Sequence, residues 1–298
     1  MSAPEVPAAG SPSFSDQAKV TPDAATPGRF HAELDRSWAT PLFPSGGLAA
    51  GVALRAMQAV LPNPEHRVRT MTTLFVSTVR DGPVEIDVEL LRPGKRMTHL
   101  RATLRNAGSG EAGHITTAAF GESRPGFDFS YTPAPEVTVP EDYPERAEPP
   151  PGVPTFRAAF FDQTETRGVD FHHSWETDWE GGRAEATRWI RYRNSPRLGD
   201  GTLDPLALPA LADTMPPALM QYLGPGYPFF HCPSVDLTVH FYAATRSEWL
   251  ISHTRCHWAG DGYASAEIQL WDEERRLVCH ATQVMLLRFP APESLGAG

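Results

Sequence analysis

The stretch LALPALADTMPPALM, residues 206–220, is almost entirely apolar, yet it carries one carboxylate, Asp213, three residues before the pair Pro216–Pro217. An ionised carboxylate removed from water without a partner is costly, so Asp213 is paired, exposed at a helix end, or part of a site that uses its charge. Neither proline continues an ordinary helix, so the backbone must end or kink beside Asp213, setting the carboxylate next to an opening. A carboxylate so placed can take a proton from a water. An Asp ahead of two prolines is also a common cap or turn former, and spacing alone does not separate the two roles.

Other side chains invite chemistry and are set aside. His231–Cys232, Cys256–His257 and Cys279–His280 are adjacent pairs. Neighbours on a strand point to opposite faces, so each pair offers one ligand to a given site, and there is no C-x-x-C spacing; no metal is expected. Nothing local marks a thiol as activated, and three cysteines are too few for a disulfide framework. There is no G-x-S-x-G nucleophile elbow. GSGEAG, residues 108–113, matches the glycine pattern of a dinucleotide site but lies between two strand-like stretches with no helix after it, so it reads as a turn.

The 298 residues carry 26 Lys and Arg against 36 Asp and Glu, and 41% are hydrophobic. That apolar fraction is enough for substantial cores, while a net charge of −10 excludes a charge-read nucleic-acid surface. No run is long enough for a membrane span and the N-terminus lacks a signal-peptide pattern, which leads us to expect a cytoplasmic protein. Residues 1–28, rich in Ala, Pro and Ser, read as a disordered tail, and residues 291–298 as a second tail. Residues 124–158, with runs such as EPPPGVP, read as an extended Pro-rich linker. The chain is thereby divided into segments 29–123 and 159–290.

Those two segments are copies of one pattern. At an offset of 166, residues 46–120 run without a gap onto the second half, setting Phe75 on Phe241, Gly94 on Gly260, Leu104 on Leu270, His114 on His280 and Thr72 on Thr238. Each copy opens with a buried-helix pattern, GGLAAGVALRAMQAV and LALPALADTMPPALMQYL. Strand-like stretches follow: TTLFVSTV, PVEIDVELL, MTHLRATLRN and HITTAAF in the first, SVDLTVHFY, EWLISHTRCH, YASAEIQLW and LVCHATQVMLL in the second. ETDWEGGRAEATRWIRYR reads as a hairpin turning at EGGR ahead of the second copy. The expected architecture is α+β, an antiparallel sheet wrapped around a central helix, twice over.

That layout resembles the tandem, double-hotdog fold of the acyl-CoA thioesterase family (TesB-like, type II thioesterases). The second copy carries the most specific segments, LADTMPPAL, SVDLTVHFYAATRSEWLI and AGDGYASAEIQLWDEERRLVCHATQVMLLR. The resemblance implies hydrolysis of acyl-CoA thioesters by an Asp on the helix, a Thr or Ser on the next strand and a Gln on the last, which fall on Asp213, Ser234 and Gln283. Thr238, on the same strand face as Ser234 if the strand is regular, is a candidate accessory hydroxyl. Opposite Asp213 and Gln283 the first copy has Gly47 and Thr117, so it is expected to be structural. The implied substrate is acyl-CoA, with no cofactor beyond the coenzyme A of the substrate, no metal, no nucleic-acid partner, and room for a homo-oligomer.

The chemistry fits those residue types. A thioester needs a positioned water, a proton acceptor, and donors where charge grows on the carbonyl oxygen. Asp213 can take the proton while Ser234 and the Gln283 amide hold the water. The aromatic run GYPFFH, residues 226–231, is either loop packing or the wall of an acyl tunnel, and Arg92, Lys95, Arg96 and Arg193 are candidate partners for coenzyme A phosphates. A hotdog hydratase would want a His near the helix, and residues 199–230 contain none. The rival from another class is a non-catalytic acyl-CoA or lipid binder that keeps the fold without the activity.

Overall fold

The alternating stretches form one continuous antiparallel sheet in the computed structural model, which describes residues 12–40, 42–146, 149–151, 153, 158–228 and 230–289. Its first half contains β1 (Thr21–Pro22), β2 (Arg29–Leu34), β3 (Arg67–Phe75), β4 (Gly82–Arg92), β5 (Met97–Asn106) and β6 (His114–Gly121). Its second half contains β7 (Thr164–Asp170), β8 (Glu185–Tyr192), β9 (Asp236–Phe241), β10 (Leu250–Gly260), β11 (Tyr263–Trp271) and β12 (Leu277–Leu286). The spatial order is β1-β2-β4-β5-β6-β3-β9-β12-β11-β10-β8-β7, the order of the first half reversed in the second. The hotdog architecture expected from the repeat is present.

The offset of 166 carries β3 to β6 onto β9 to β12, and it also locates the seam. Strands β3 and β9 pair with Thr72 opposite Thr238, and the two hydroxyls are 3.0 Å apart. These residues are each other's repeat counterparts, so a pseudo-twofold axis passes between them. One hydrogen-bonded ladder therefore joins the halves, and neither presents an open edge there.

Among the described residues four α-helices accompany the sheet: α1 (Phe14–Gln17), α2 (Gly46–Ala59), α3 (Leu208–Ala212) and α4 (Pro216–Leu223). Helix α2 starts at the N-cap Ser45 and is buried on nearly every face, from Gly47 through Met57, with Arg55 and Gln58 reaching outward. Burying each of Leu48, Val52, Leu54 and Met57 contributes about 1.5–3 kcal/mol. The helical stretch of the second copy is broken into α3 and α4, as the Pro216–Pro217 pair requires. Helices α2 and α3 meet in one core shared by both halves. At Gly47 they touch so closely that a Cβ would lie 2.2 Å from the Pro209 carbonyl oxygen.

Two expectations are corrected here. Residues 12–28 are ordered, not a disordered tail. Ser13 and Asp16 form a capping box on α1, Thr21–Pro22 pair with β2, and Phe14 is fully buried against Trp38 and Tyr192. One aromatic anchor fixes this segment, a signal too short to register as periodicity. Residues 1–11 and the expected tail 291–298 lie outside the described residues. The hairpin before the second copy is β7–β8, with Gly168 opposite Arg188; residues 171–184 are its loop, and EGGR is the end of that loop rather than its turn.

The Pro-rich segment forms no named strand among its described residues, but it is packed. Ala134, Val137 and Tyr143 cover an outer-face cluster of Trp189, Trp249, Ile251 and Trp271. The Trp189 indole donates to the Thr138 carbonyl at 3.1 Å, and Arg275 donates to the Pro135 and Val137 carbonyls. Among the described residues no helix is long and apolar enough to cross a membrane.

Phe14 holds the N-terminal segment in the core, so Phe14→Ala is expected to cost about 3–5 kcal/mol, read as a lowered urea midpoint at unchanged slope. A dispensable tail would give no shift.

Candidate active site

Helix α3 ends at Asp213, whose N–H still donates to the Pro209 carbonyl at 2.9 Å while its own backbone has left helical geometry. Three residues of non-helical chain separate it from α4, so the carboxylate projects from a break rather than from a regular turn. Oxygen Oδ2 accepts the Gly47 N–H at 2.8 Å. Oxygen Oδ1 accepts the Ser234 hydroxyl at 3.0 Å and the Gln283 Nε2 at 2.5 Å. The Gln283 Nε2 is also 2.5 Å from the Ser234 oxygen. Asp213, Ser234 and Gln283 thus meet in one cluster.

Burial pushes the Asp213 carboxyl above the ordinary carboxylate value, and the bonds from Gly47, Ser234 and Gln283 oppose that push. Three donors occupy Asp213, and a carboxylate has about four acceptor positions, so one on Oδ2 stays open. Gln283 lies on the inward face of β12 with Cys279, Ala281 and Met285 and is itself buried. Its Oε1 is shut from solvent with no partner among the described residues. Such an orphaned acceptor costs about 1–3 kcal/mol and calls for an explanation.

Thr238 is not part of the cluster. Ser234 is bridged to Met285, whereas Thr238 faces Thr282, so the β9 side carries one residue more than β12 between these two pairs. That bulge reverses which face each side chain takes. Ser234 turns inward to Asp213, and Thr238 turns to the outer face, where it meets Thr72. Asp236 stabilises the irregularity, its Oδ1 accepting the Val284 N–H at 2.7 Å. The expectation that Thr238 could stand in for Ser234 assumed a regular strand and is overturned.

The first repeat is more than a scaffold at this site. Gly47 is the repeat counterpart of Asp213 and donates to its carboxylate from the first turn of α2, the positive end of that helix. Beside it the Gly46 N–H has no acceptor among the described residues. A Cβ at Gly46 would lie 2.6 Å from the Phe75 ring and 3.1 Å from Asp213 Oδ2, so this glycine keeps the space at the carboxylate clear. Phe75 in turn packs edge-on against His114 at 4.8 Å, whose imidazole burial lowers to about 4. The pairing of Gly47 with Asp213 in the repeat register was the available signal, but that register carries no information on proximity.

The remaining candidates are accounted for. Burial pushes the Cys232 thiol up to about 12 and the Cys256 and Cys279 thiols upward as well, the reverse of an activated nucleophile. Phe230 packs into the core against Tyr227 and Phe289, whereas Phe229 lies outside the described residues. Arg96 and Arg193 pair with Glu122 and Glu145 on the surface. Residues 107–113 form the turn between β5 and β6, as expected.

A family model described as the acyl-CoA thioesterase N-terminal domain matches residues 34–121, and one described as the acyl-CoA thioesterase C-terminal domain matches residues 140–287. No curated protein matches the chain. Among solved structures, a hot dog fold protein of unknown function from Alicyclobacillus acidocaldarius is similar, with a TM-score of 0.77 and 22% identity over 93% of this chain and 98% of that one. The acyl-CoA thioesterase II TesB2 of Mycobacterium marinum has a TM-score of 0.71 and 19% identity over 94% and 99%. The tesB protein of Mycobacterium avium subs paratuberculosis has a TM-score of 0.72 and 17% identity over 93% and 98%. At these identities the structures speak for the fold.

The Ser234 hydroxyl holds the Asp213 pKa down and Thr238 does not touch it. Carbon-13 NMR titration of the Asp213 carboxyl is therefore expected to give a higher pKa in Ser234→Ala and an unchanged one in Thr238→Val.

Proposed function

This chain belongs to the acyl-CoA thioesterase family, and we propose that it hydrolyses acyl-CoA thioesters with a water activated by Asp213 and positioned by Gln283 and Ser234. The observation that carries these roles is the convergence of all three side chains on one carboxylate at a helix break. The open acceptor position on Asp213 Oδ2 takes a proton from the water. The buried, unpartnered Gln283 Oε1 accepts the water's other proton and turns its lone pair toward the thioester carbon. Ser234 and the Gln283 Nε2 bond the other carboxylate oxygen and fix its orientation.

Attack forms the new C–O bond as the carbonyl oxygen gains charge. The Gly46 N–H, without an acceptor among the described residues at the first turn of α2, is a backbone donor for that oxyanion, with the helix dipole adding to it. Collapse breaks the C–S bond, and the proton held by Asp213 passes to the departing thiolate. The products are the free acid and coenzyme A, and the reaction as proposed draws on these side chains and water without a metal or redox cofactor.

The raised Asp213 pKa suits this work, because a base is most effective when its pKa approaches the operating pH. Only the ionised form acts, so kcat/KM is expected to be full above that pKa and to fall as pH drops through it, with the acid limb above the range of an ordinary, solvated aspartate. Thiol release from a panel of acyl-CoAs tests the assignment: Asp213→Asn should lower turnover by about two to four orders of magnitude with the fold retained. Equal turnover in both proteins would remove Asp213 from the chemistry. Acyl-CoA binding without thiol release by the wild type would identify a non-catalytic binder.

A further inference from the structure

The second half buries a cation that no carboxylate among the described residues pairs with. Arg188, on β8, is only 5% exposed and faces inward toward the helix break. Its Nη2 donates to the carbonyl and hydroxyl oxygens of Thr214 at 3.2 and 3.3 Å, both neutral acceptors, and its Nε is buried without a partner. Directly across the ladder on β10 stands Ser252, fully buried, whose Oγ is also unpartnered. Among the described residues no carboxylate forms an ion pair with Arg188, although neighbouring arginines of the β7–β8 pair are neutralised: Arg167 and Arg191 both converge on Glu165.

The surroundings hold charge of both signs, with Asp162 acting on Arg146 and Glu176 on His173. The Arg146 guanidinium lies over the Phe161 ring at 4.3 Å and likewise has no ion pair among the described residues. Burial, with Arg146 next in effect, pushes the His173 pKa down to about 4, which leaves that imidazole neutral and able to accept or donate. The Phe171 ring closes over Arg188 at 5.8 Å. A fully buried arginine is rare without a partner, and orphaned donors on two adjacent strands mark one place where an acceptor belongs.

We propose that Arg188 and Ser252 form an anion site beside the helix break, and that the preferred substrates are acyl-CoA thioesters whose acyl group ends in a carboxylate. The proposal rests on Asp213 being the hydrolytic centre: Thr214, the residue that Arg188 grips, follows it directly. A carboxylate supplies the charge that Arg188 lacks and two acceptor oxygens, one for the unpartnered Nε and one for the Ser252 hydroxyl. The phosphates of coenzyme A do not suit the place, because they carry the bulky nucleotide, whereas Arg188 and Ser252 are enclosed between the sheet and α4.

Thiol release from succinyl-, glutaryl- and adipyl-CoA, set against butyryl-, valeryl- and hexanoyl-CoA, tests the pocket. The wild type is expected to favour at least one carboxyacyl substrate over its alkyl match by about tenfold or more in kcat/KM. Arg188→Met should cut the carboxyacyl substrates by about a hundredfold and leave the alkyl ones within about threefold. Ser252→Ala should reduce the carboxyacyl class alone, and it decides the matter if Arg188→Met does not fold. Equal losses in both classes, or an alkyl preference in the wild type, would overturn the proposal. If the wild type releases thiol from neither class, the hydrolase assignment fails by itself. Calorimetry then judges the pocket: tighter binding of glutaryl-CoA than valeryl-CoA that is lost in Ser252→Ala upholds it, and equal binding of the two refutes it.

Discussion

The contact between Gly47 and Asp213 is the constraint on which the rest of this structure turns. Helices α2 and α3, one from each copy, approach at a point where no Cβ fits, since one at Gly47 would lie 2.2 Å from the Pro209 carbonyl oxygen. That approach lets the first-turn N–H of α2 reach the carboxylate at the end of α3. The donor would otherwise be one of the orphaned amides of a helix start, and the carboxylate a poorly hydrated charge near the core; each resolves the other's desolvation cost. The asymmetry of the repeats follows from the same contact. The position that must be glycine for close packing in one copy is free to be the acid in the other, so a single carboxylate serves both halves.

The continuous sheet holds that approach in place. The β3–β9 ladder, with Thr72 and Thr238 at its centre, fixes the two copies about their pseudo-twofold, and the shared core fixes α2 against α3. The Pro-rich segment, which looks like a mere spacer, covers a tryptophan cluster on the outer face and keeps the apolar surface of β8, β10 and β11 out of water. The N-terminal segment plugs the other side of the core with Phe14.

Electrostatics in the second half follow two regimes. Where arginines serve stability they are paired, as Arg167 and Arg191 are with the buried Glu165, and the pairing outweighs the burial that would raise the glutamate's pKa. Around the helix break the groups are left short of partners: Asp213 with an acceptor position to spare, Gln283 Oε1 and Arg188 Nε with none filled. Unsatisfied buried polar groups destabilise a fold, so those beside the Asp213 carboxylate call for an explanation that the paired arginines do not.

Much of this was legible in the residues. Period-two patterning and the offset of 166 determined the two copies, their strands and the buried character of α2, because burial on a sheet or helix face leaves a periodic trace in the sequence. The Pro216–Pro217 pair determined the break at Asp213, since a missing N–H acts locally whatever surrounds it. Other features were decided only by tertiary structure. The bulge that separates Ser234 from Thr238 depends on how β9 pairs with β12, a register set by the partner strand. The order of residues 12–28 depends on a distant aromatic pocket that receives Phe14, the Gly47 donor on an approach between helices 166 positions apart, and the solitary Arg188 on which side chains fail to reach it. Each is a relation between segments far apart in the chain, and a single residue's identity carries no record of which distant neighbour it will meet.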